Sequence, residues 1–149
     1  MDIFELLTKD HELILSHLDQ LEQIRLRKGG DGMRDRIFSH LSLELELHMN
    51  AEEAVFYPVL LEVPDIRSVL LSGEEEHRIA KLLLGELNDM PKDERWGARL
   101  AVMRSNVQRH IDRESGLIFL RAQEVLDADQ RKALGVEMAE FKNAQKAAK

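Results

Sequence analysis

The sequence has no cysteine. That excludes disulfides, thiolate metal sites, thiolate-held iron–sulfur clusters and cysteine nucleophiles. It has only three prolines and eight glycines in 149 residues, so positions that stop a helix are few. No apolar run approaches the roughly 18 residues that a membrane span requires. Positive charge is in deficit: 21 Lys and Arg stand against 28 Asp and Glu, a net charge of −7. That balance argues against binding nucleic acid by neutralising phosphate. The opening Met-Asp-Ile-Phe-Glu-Leu-Leu carries neither the basic run nor the cleavage site of a secretion signal. The expectation is a cytoplasmic protein with no membrane and no nucleic-acid partner.

What is abundant is helix-forming: Leu, Glu, Lys, Arg, Ala, Met and Gln. Turn signals fall at Lys28-Gly29-Gly30-Asp31-Gly32, Val63-Pro64-Asp65, Met90-Pro91-Lys92-Asp93 and, more weakly, Asp127-Ala128-Asp129. Between them lie stretches of helical period over residues 2–27, 33–57, 65–89, 93–125 and 129–147. Apolar residues recur at steps of three and four, as in Phe4, Leu7, Ile14, Leu18 and Leu21, or Ile37, Leu41, Leu45, Val55 and Val59. The third series is Ile66, Leu70, Ala80, Leu84 and Leu87, and the fourth Trp96, Leu100, Met103, Val107 and Leu117. Such series are the inward seams of a helical bundle. The predicted fold is all-α, one domain over residues 1–149: an antiparallel up-down-up-down four-helix bundle with a short extra C-terminal helix. Leu41, Leu43, Leu45 and Leu47 alternate like a strand, but no turn residue separates them from their helical flanks. They are read as helix with an apolar second face.

The seams have gaps, and polar residues fill them: His11 in the first, His48 and Glu52 in the second, His77 in the third, His110 and Glu114 in the fourth. In an antiparallel hairpin, residues equidistant from the turn are level. The midpoint of His11 and His48 falls within Gly29-Gly30, that of Glu52 and His77 at Pro64-Asp65, and that of His77 and His110 in the turn after Pro91. All three turns put the six residues in one layer of the core. An unpartnered carboxylate there costs several kcal/mol, and two facing each other cost more. A multivalent cation stabilises both and uses the imidazole lone pairs. The spacing of four stacks His48 over Glu52 and His110 over Glu114 on one helix face. His11, His48, Glu52, His77, His110 and Glu114 are therefore the candidate metal ligands. They are more than one ion takes, so two ions bridged by the glutamates are expected.

Imidazole and carboxylate donors suit iron, manganese or zinc. If each ion takes about six ligands, four imidazoles, two bridging carboxylates and an oxo or hydroxo bridge leave about two positions open. Those positions would take water or a small ligand. No residue is assigned a catalytic role, and no organic cofactor is expected.

Other acidic and imidazole residues read differently. His40-x-x-x-Glu44 repeats the spacing but sits beside the seam, and His17 turns away from the layer. Glu74 gives one Glu-x-x-His where ferritin-like sites use two. Glu76 is placed to orient His77. Tyr57-Pro58 marks the end or a kink of the second helix.

At these residues the sequence resembles the hemerythrin-like, or HHE cation-binding, family. The resemblance rests on His11, on His48-Met49-Asn50-Ala51-Glu52-Glu53-Ala54-Val55-Phe56-Tyr57-Pro58, on His77 and on His110-x-x-x-Glu114. It implies a four-helix bundle around a non-haem, usually di-iron, centre, with O2, NO or peroxide chemistry, iron sensing or repair of iron–sulfur clusters. Oxygen-carrying members have five His and a His-x-x-x-His on the third helix, where this chain has Gly73 and Lys81 beside His77. The four-His, two-Glu set is closer to the repair branch, whose usual N-terminal cysteine domain has no counterpart here. Two other readings stand beside a binding or sensing protein. One is a di-iron oxidase, peroxidase or repair enzyme. The other is a helical interaction module whose metal is structural or absent, meeting a partner or, in a homodimer, a second copy through Leu43 and Leu47.

Overall fold

The computed structural model describes residues 1–148, and their regular structure is entirely helical. Helix α1 spans Ile3–Ile24; the Asp2 carboxylate accepts from the Glu5 N–H while Glu5 accepts from the Asp2 N–H, a reciprocal cap. The chain turns through Arg25 and Gly29, the latter at φ 80°, which glycine takes without strain. Helix α2 spans Asp31–Ala51 and contains the alternating leucines. It runs on through a π turn, Glu52–Phe56, into α3, Tyr57–Leu60.

Helix α4, Pro64–Asp89, starts on a proline, at a position where a missing N–H costs nothing. Helix α5, Glu94–Arg113, is capped by Asp93, which accepts from the N–H groups of Arg95 and Trp96. A second π turn, Glu114–Ile118, leads into α6, Phe119–Val125. Helix α7 spans Ala128–Ala148 and opens on a reciprocal pair between Asp127 and Gln130.

Three expectations are corrected. The C-terminal helix is not short: α7 has 21 residues, as many as α2. Its length follows from its docking, because Leu134, Gly135 and Met138 are buried and the helix packs along α1, α2 and the first π turn. Secondly, Val59 and Leu117, read as core, are 42% and 49% exposed. Each π turn puts one extra residue into its helix, so the face after it rotates and Tyr57, Leu60, Ile118, Phe119 and Ala122 are the buried residues. Thirdly, the apolar face expected at Leu43 and Leu47 is half covered within the chain: Leu47 is 2% exposed and Leu43 37%.

The apolar residues form two clusters. One joins Leu18, Leu21 and Ile24 to Phe38, Leu41, Leu84, Leu87, Trp96 and Leu100. The other joins Ile3 and Leu7 to Phe56, Tyr57, Leu60, Ile66, Leu70, Ile118 and Phe119. In each of α1, α2, α4 and α5, with the turns that follow, the polar gap lies where the chain passes from one cluster to the other. No helix among the described residues is long and apolar enough to cross a membrane.

Candidate metal centre

The six gap residues meet. Glu52 and Glu114 are fully buried, and His11, His48, His77 and His110 are at most 9% exposed. The His11 and His48 ring centroids lie 4.9 Å apart and those of His77 and His110 4.7 Å apart. Glu52 Oε1 stands 2.9 Å from His48 Nε2 and 3.3 Å from His77 Nε2. Across the layer, Glu114 Oε1 stands 3.0 Å from His11 Nε2 and Glu114 Oε2 3.3 Å from His110 Nε2. The donor atoms fall into two groups, His11–His48–Glu52–Glu114 and Glu52–His77–His110, each spanning less than 4.8 Å, with Glu52 common to both. His17 and His40 lie elsewhere, their rings 6.3 Å apart. Neither these two nor Glu44 and Glu74 join either group among the described residues.

Three carboxylates hold the backs of the rings: Asp10 and Glu53, which the sequence did not single out, and Glu76, which it placed at another ring. His48 Nδ1 donates to Asp10 at 2.9 Å, His77 Nδ1 to Glu53 at 2.9 Å and His110 Nδ1 to Glu76 at 2.8 Å. Glu76 therefore orients His110, not its sequence neighbour His77. It sits one residue before His77 on α4, a rotation of about 100° that aims it at α5. Each of these bonds fixes a tautomer with Nε2 facing the centre. Each carboxylate also meets a cation: Lys142 on Asp10, Lys81 at 3.9 Å from Glu53, and Arg113 on Glu76. His11 has no such support; its Nδ1 is buried without a partner, and its ring stacks on Phe119 at 5.8 Å.

Tyr57 is the other residue whose part was not foreseen. Pro58 does not end the helix, which continues to Leu60. Tyr57 is fully buried there, donates its O–H to Glu114 Oε2 at 2.6 Å and stacks flat on His77. Gly73 leaves room for it, since a Cβ at Gly73 would lie 2.9 Å from the Tyr57 hydroxyl.

Electrostatics separate the groups in the expected directions. Burial opposes charge on His48, yet Glu52 and Asp10 raise its pKa to about 10. Burial also opposes charge on His110, which hydrogen bonding and charge from Glu114, with Glu52 and Glu76, raise to about 9. His77 is raised as well, by Glu52 and Glu53 against burial. Burial works to raise the Glu114 carboxyl, but its interactions with Glu52, His11 and His110 hold it well below the usual range. Burial likewise works against charge on Asp10, but His48 and Lys142 hold it low. Glu53 is held low chiefly by His77. Burial, with the charges of Glu52 and Glu114, pushes the Tyr57 hydroxyl far up, so it stays protonated.

The donor set fits a cation. Both Glu52 oxygens and His48 Nε2 are buried with no hydrogen-bond partner of acceptable geometry. Such orphaned groups are costly, and converging lone pairs of nitrogen and oxygen are what an Fe, Mn or Zn ion takes up.

No similar sequence is found among curated proteins. Among solved structures, the chain resembles a hemerythrin HHE cation-binding domain-containing protein from Mycobacterium kansasii, with a TM-score of 0.80 at 20% identity, over 97% of this chain and 89% of that one. At that identity the likeness shows a shared helical fold. The model of the hemerythrin HHE cation-binding domain matches residues 2–122, the span that carries all six gap residues, and the chain belongs to that family.

Proposed function

We propose that the chain is a non-haem di-iron protein that binds or senses a small ligand such as O2, NO or peroxide. In this reading His11, His48, Glu52 and Glu114 would hold one iron, and His77 and His110 with the shared Glu52 the other. The observation that carries it is the buried Glu52 carboxylate, whose two oxygens have no hydrogen-bond partner while imidazole nitrogens face them. The up-down-up-down antiparallel order belongs to the same proposal. Its support is that Ile3 and Leu7, opening α1, share a cluster with Leu60 and with Ile66 and Leu70, opening α4, while Ile24 shares the other with Leu87 and Trp96.

The ligand class is argued from space. Beside the histidines lies a cavity of about 20 Å³, lined mostly by apolar residues (Ile14, Leu45, Met49, Ala80, Val107 and Ile111), with Glu76, Asn106, His48, His77 and His110 completing it. That is room for about one water-sized molecule, which suits two or three atoms and excludes an organic substrate. Bound iron supplies a redox-active Lewis acid for such a ligand. The chain does the rest. Asp10, Glu53 and Glu76 hold three imidazoles in one tautomer, Tyr57 keeps a proton at Glu114 Oε2, and the apolar walls exclude water.

The test is anaerobic loading of metal-free protein with Fe2+, metal analysis, and visible spectra before and after O2 or NO. Two irons per chain and a charge-transfer band that reverses on degassing are expected, and both are lost in Glu52→Ala. Failure to take up iron overturns the metal reading. Uptake of iron without any spectral response to either gas overturns the ligand reading. Catalytic peroxide turnover by the loaded protein but not by Glu52→Ala would make it an enzyme instead.

A further inference from the structure

The supports behind the imidazoles are unevenly distributed. The His77–His110 half has two, Glu53 with Lys81 and Glu76 with Arg113, and all four residues lie on α4, α5 and the first π turn. The His11–His48 half has one. His11 Nδ1 is buried without a partner, so the orientation of that half depends on the bond from His48 Nδ1 to Asp10 Oδ2. Asp10 is itself tied from outside: Lys142 on α7 binds Oδ1 at 2.7 Å and Oδ2 at 2.8 Å. Helix α7 lies beyond residue 122, where the family match ends.

The seating of α7 is specific. Gly135 lies against the Met1–Asp2 backbone so closely that a Cβ there would strike the Met1 carbonyl oxygen. Leu134 and Met138 are buried in the cluster that holds Ile3 and Leu7. Gln145 accepts from the Asn50 side chain at 3.3 Å, one turn from the site. These contacts fix where the Lys142 ammonium lies.

Without that ammonium, Asp10 is a carboxylate with 14% of its side chain exposed, facing a buried glutamate pair across the His48 ring. Its favourable course is to swing toward water, which releases His48 Nδ1 and with it the ring tautomer. The hydrogen bonds that hold His77 and His110 go to Glu53 and Glu76 and do not involve Asp10 or Lys142.

We propose that α7 is a working part of the metal centre: Lys142 is a positioning residue that, through Asp10, fixes the His48 imidazole and sets the affinity of the His11–His48–Glu52–Glu114 group for its ion. The inference rests on the two-ion reading above and adds that the ions are held by independent supports. Loss of an outer support typically weakens metal binding by about 10–100-fold, and here the loss falls on one ion of the two.

The experiment is titration of full-length metal-free protein with Co2+, followed by its visible spectrum and by equilibrium dialysis. Wild type is expected to bind two Co2+ per chain. Lys142→Met, which keeps the methylene stem, is expected to bind one as wild type does and the other about 10–100-fold more weakly. Lys142→Arg is expected to restore the second, and helicity and melting of the metal-free variants are expected to match wild type. Glu53→Gln should weaken the opposite ion, with a different spectral band lost. Equal affinity for both ions in Lys142→Met overturns the proposal, as does equal weakening of both or a failure of Lys142→Arg to rescue. If Lys142→Met lacks wild-type helicity, Asp10→Asn takes its place, with the same selective loss expected and its absence equally decisive. Failure of wild type to bind Co2+ overturns the metal reading itself, whereas two ions in wild type and in Lys142→Met alike overturn only the role of Lys142.

Discussion

Gly73 and Tyr57 divide one small space beside the centre. A methyl at Gly73 would meet the Tyr57 hydroxyl at 2.9 Å and His110 Cε1 at 3.4 Å. Tyr57, stacked on His77 and bonded to Glu114, has nowhere to retreat. Alanine inside a helix ordinarily gains about 0.5–1 kcal/mol over glycine, while overpacking a filled core costs about 1–3 kcal/mol. The second effect should win, so Gly73→Ala is expected to destabilise the protein by about 1–2 kcal/mol in urea unfolding. In a Tyr57→Phe background the first contact is gone, and the same change should become neutral or stabilising. Equal cost in both backgrounds would show that the hydroxyl is not what fills the space. The six gap residues were legible in the sequence because they break apolar seams, and burial of a carboxylate demands a reason. Asp10, Glu53 and Glu76 were not. Each is one residue from a gap residue, beside His11, Glu52 and His77, but each serves a ring on a neighbouring helix. That assignment depends on how helices are rotated against each other, which spacing along one helix does not contain.

At the scale of elements, the two π turns matter most. Each begins at a buried glutamate: the Glu52 carbonyl accepts from the Tyr57 N–H and the Glu114 carbonyl from the Phe119 N–H, five residues on. Bundle, helix stretches and turns were legible from period and from Gly and Pro. The extra residue was not, since a one-residue shift within Leu117-Ile118-Phe119-Leu120 leaves an apolar residue on either face. A π turn is an α-helix with one residue inserted, and that makes a specific prediction. Deleting exposed Gly116 should convert Glu114–Ile118 into ordinary helix and leave Phe119 and Ala122 facing the core. Helicity is expected to be kept, at a cost of about 1–2 kcal/mol or roughly 2–8 °C in melting, while metal uptake falls because Glu114 loses its backbone setting. Deleting exposed Val102 in the middle of α5 should instead rotate all that follows by about 100° and abolish cooperative unfolding. Circular dichroism melts of the two deletions decide. Equal damage would mean that the π turn is not a removable insertion.

The whole molecule is two apolar clusters with a charged layer between them. Around that layer stand five carboxylates, Glu52, Glu114, Asp10, Glu53 and Glu76, against three cations, Lys81, Arg113 and Lys142. Without metal the balance falls to imidazole protons, which is why His48 and His110 are held at about 10 and about 9. In the two-ion reading proposed above, bound cations would replace those protons, take up the Glu52 lone pairs and tie α1, α2, α4 and α5 together. Because an unfolded chain scatters the donors, binding free energy becomes folding free energy. One site at a hundredfold excess of metal over its dissociation constant adds about 2.7 kcal/mol, and two add roughly 5 kcal/mol. For a chain of this size that is about 10–20 °C in melting temperature. The shift is expected with Fe2+ or Co2+, should reverse with a chelator, and should disappear in Glu52→Ala, since Glu52 serves both groups. If metal instead bound His17, half-buried, and His40, exposed, Glu52→Ala would keep the shift and His17→Ala would lose it. Calorimetric scans of the three proteins with and without metal therefore distinguish a cation that joins the two clusters from one that only decorates the surface.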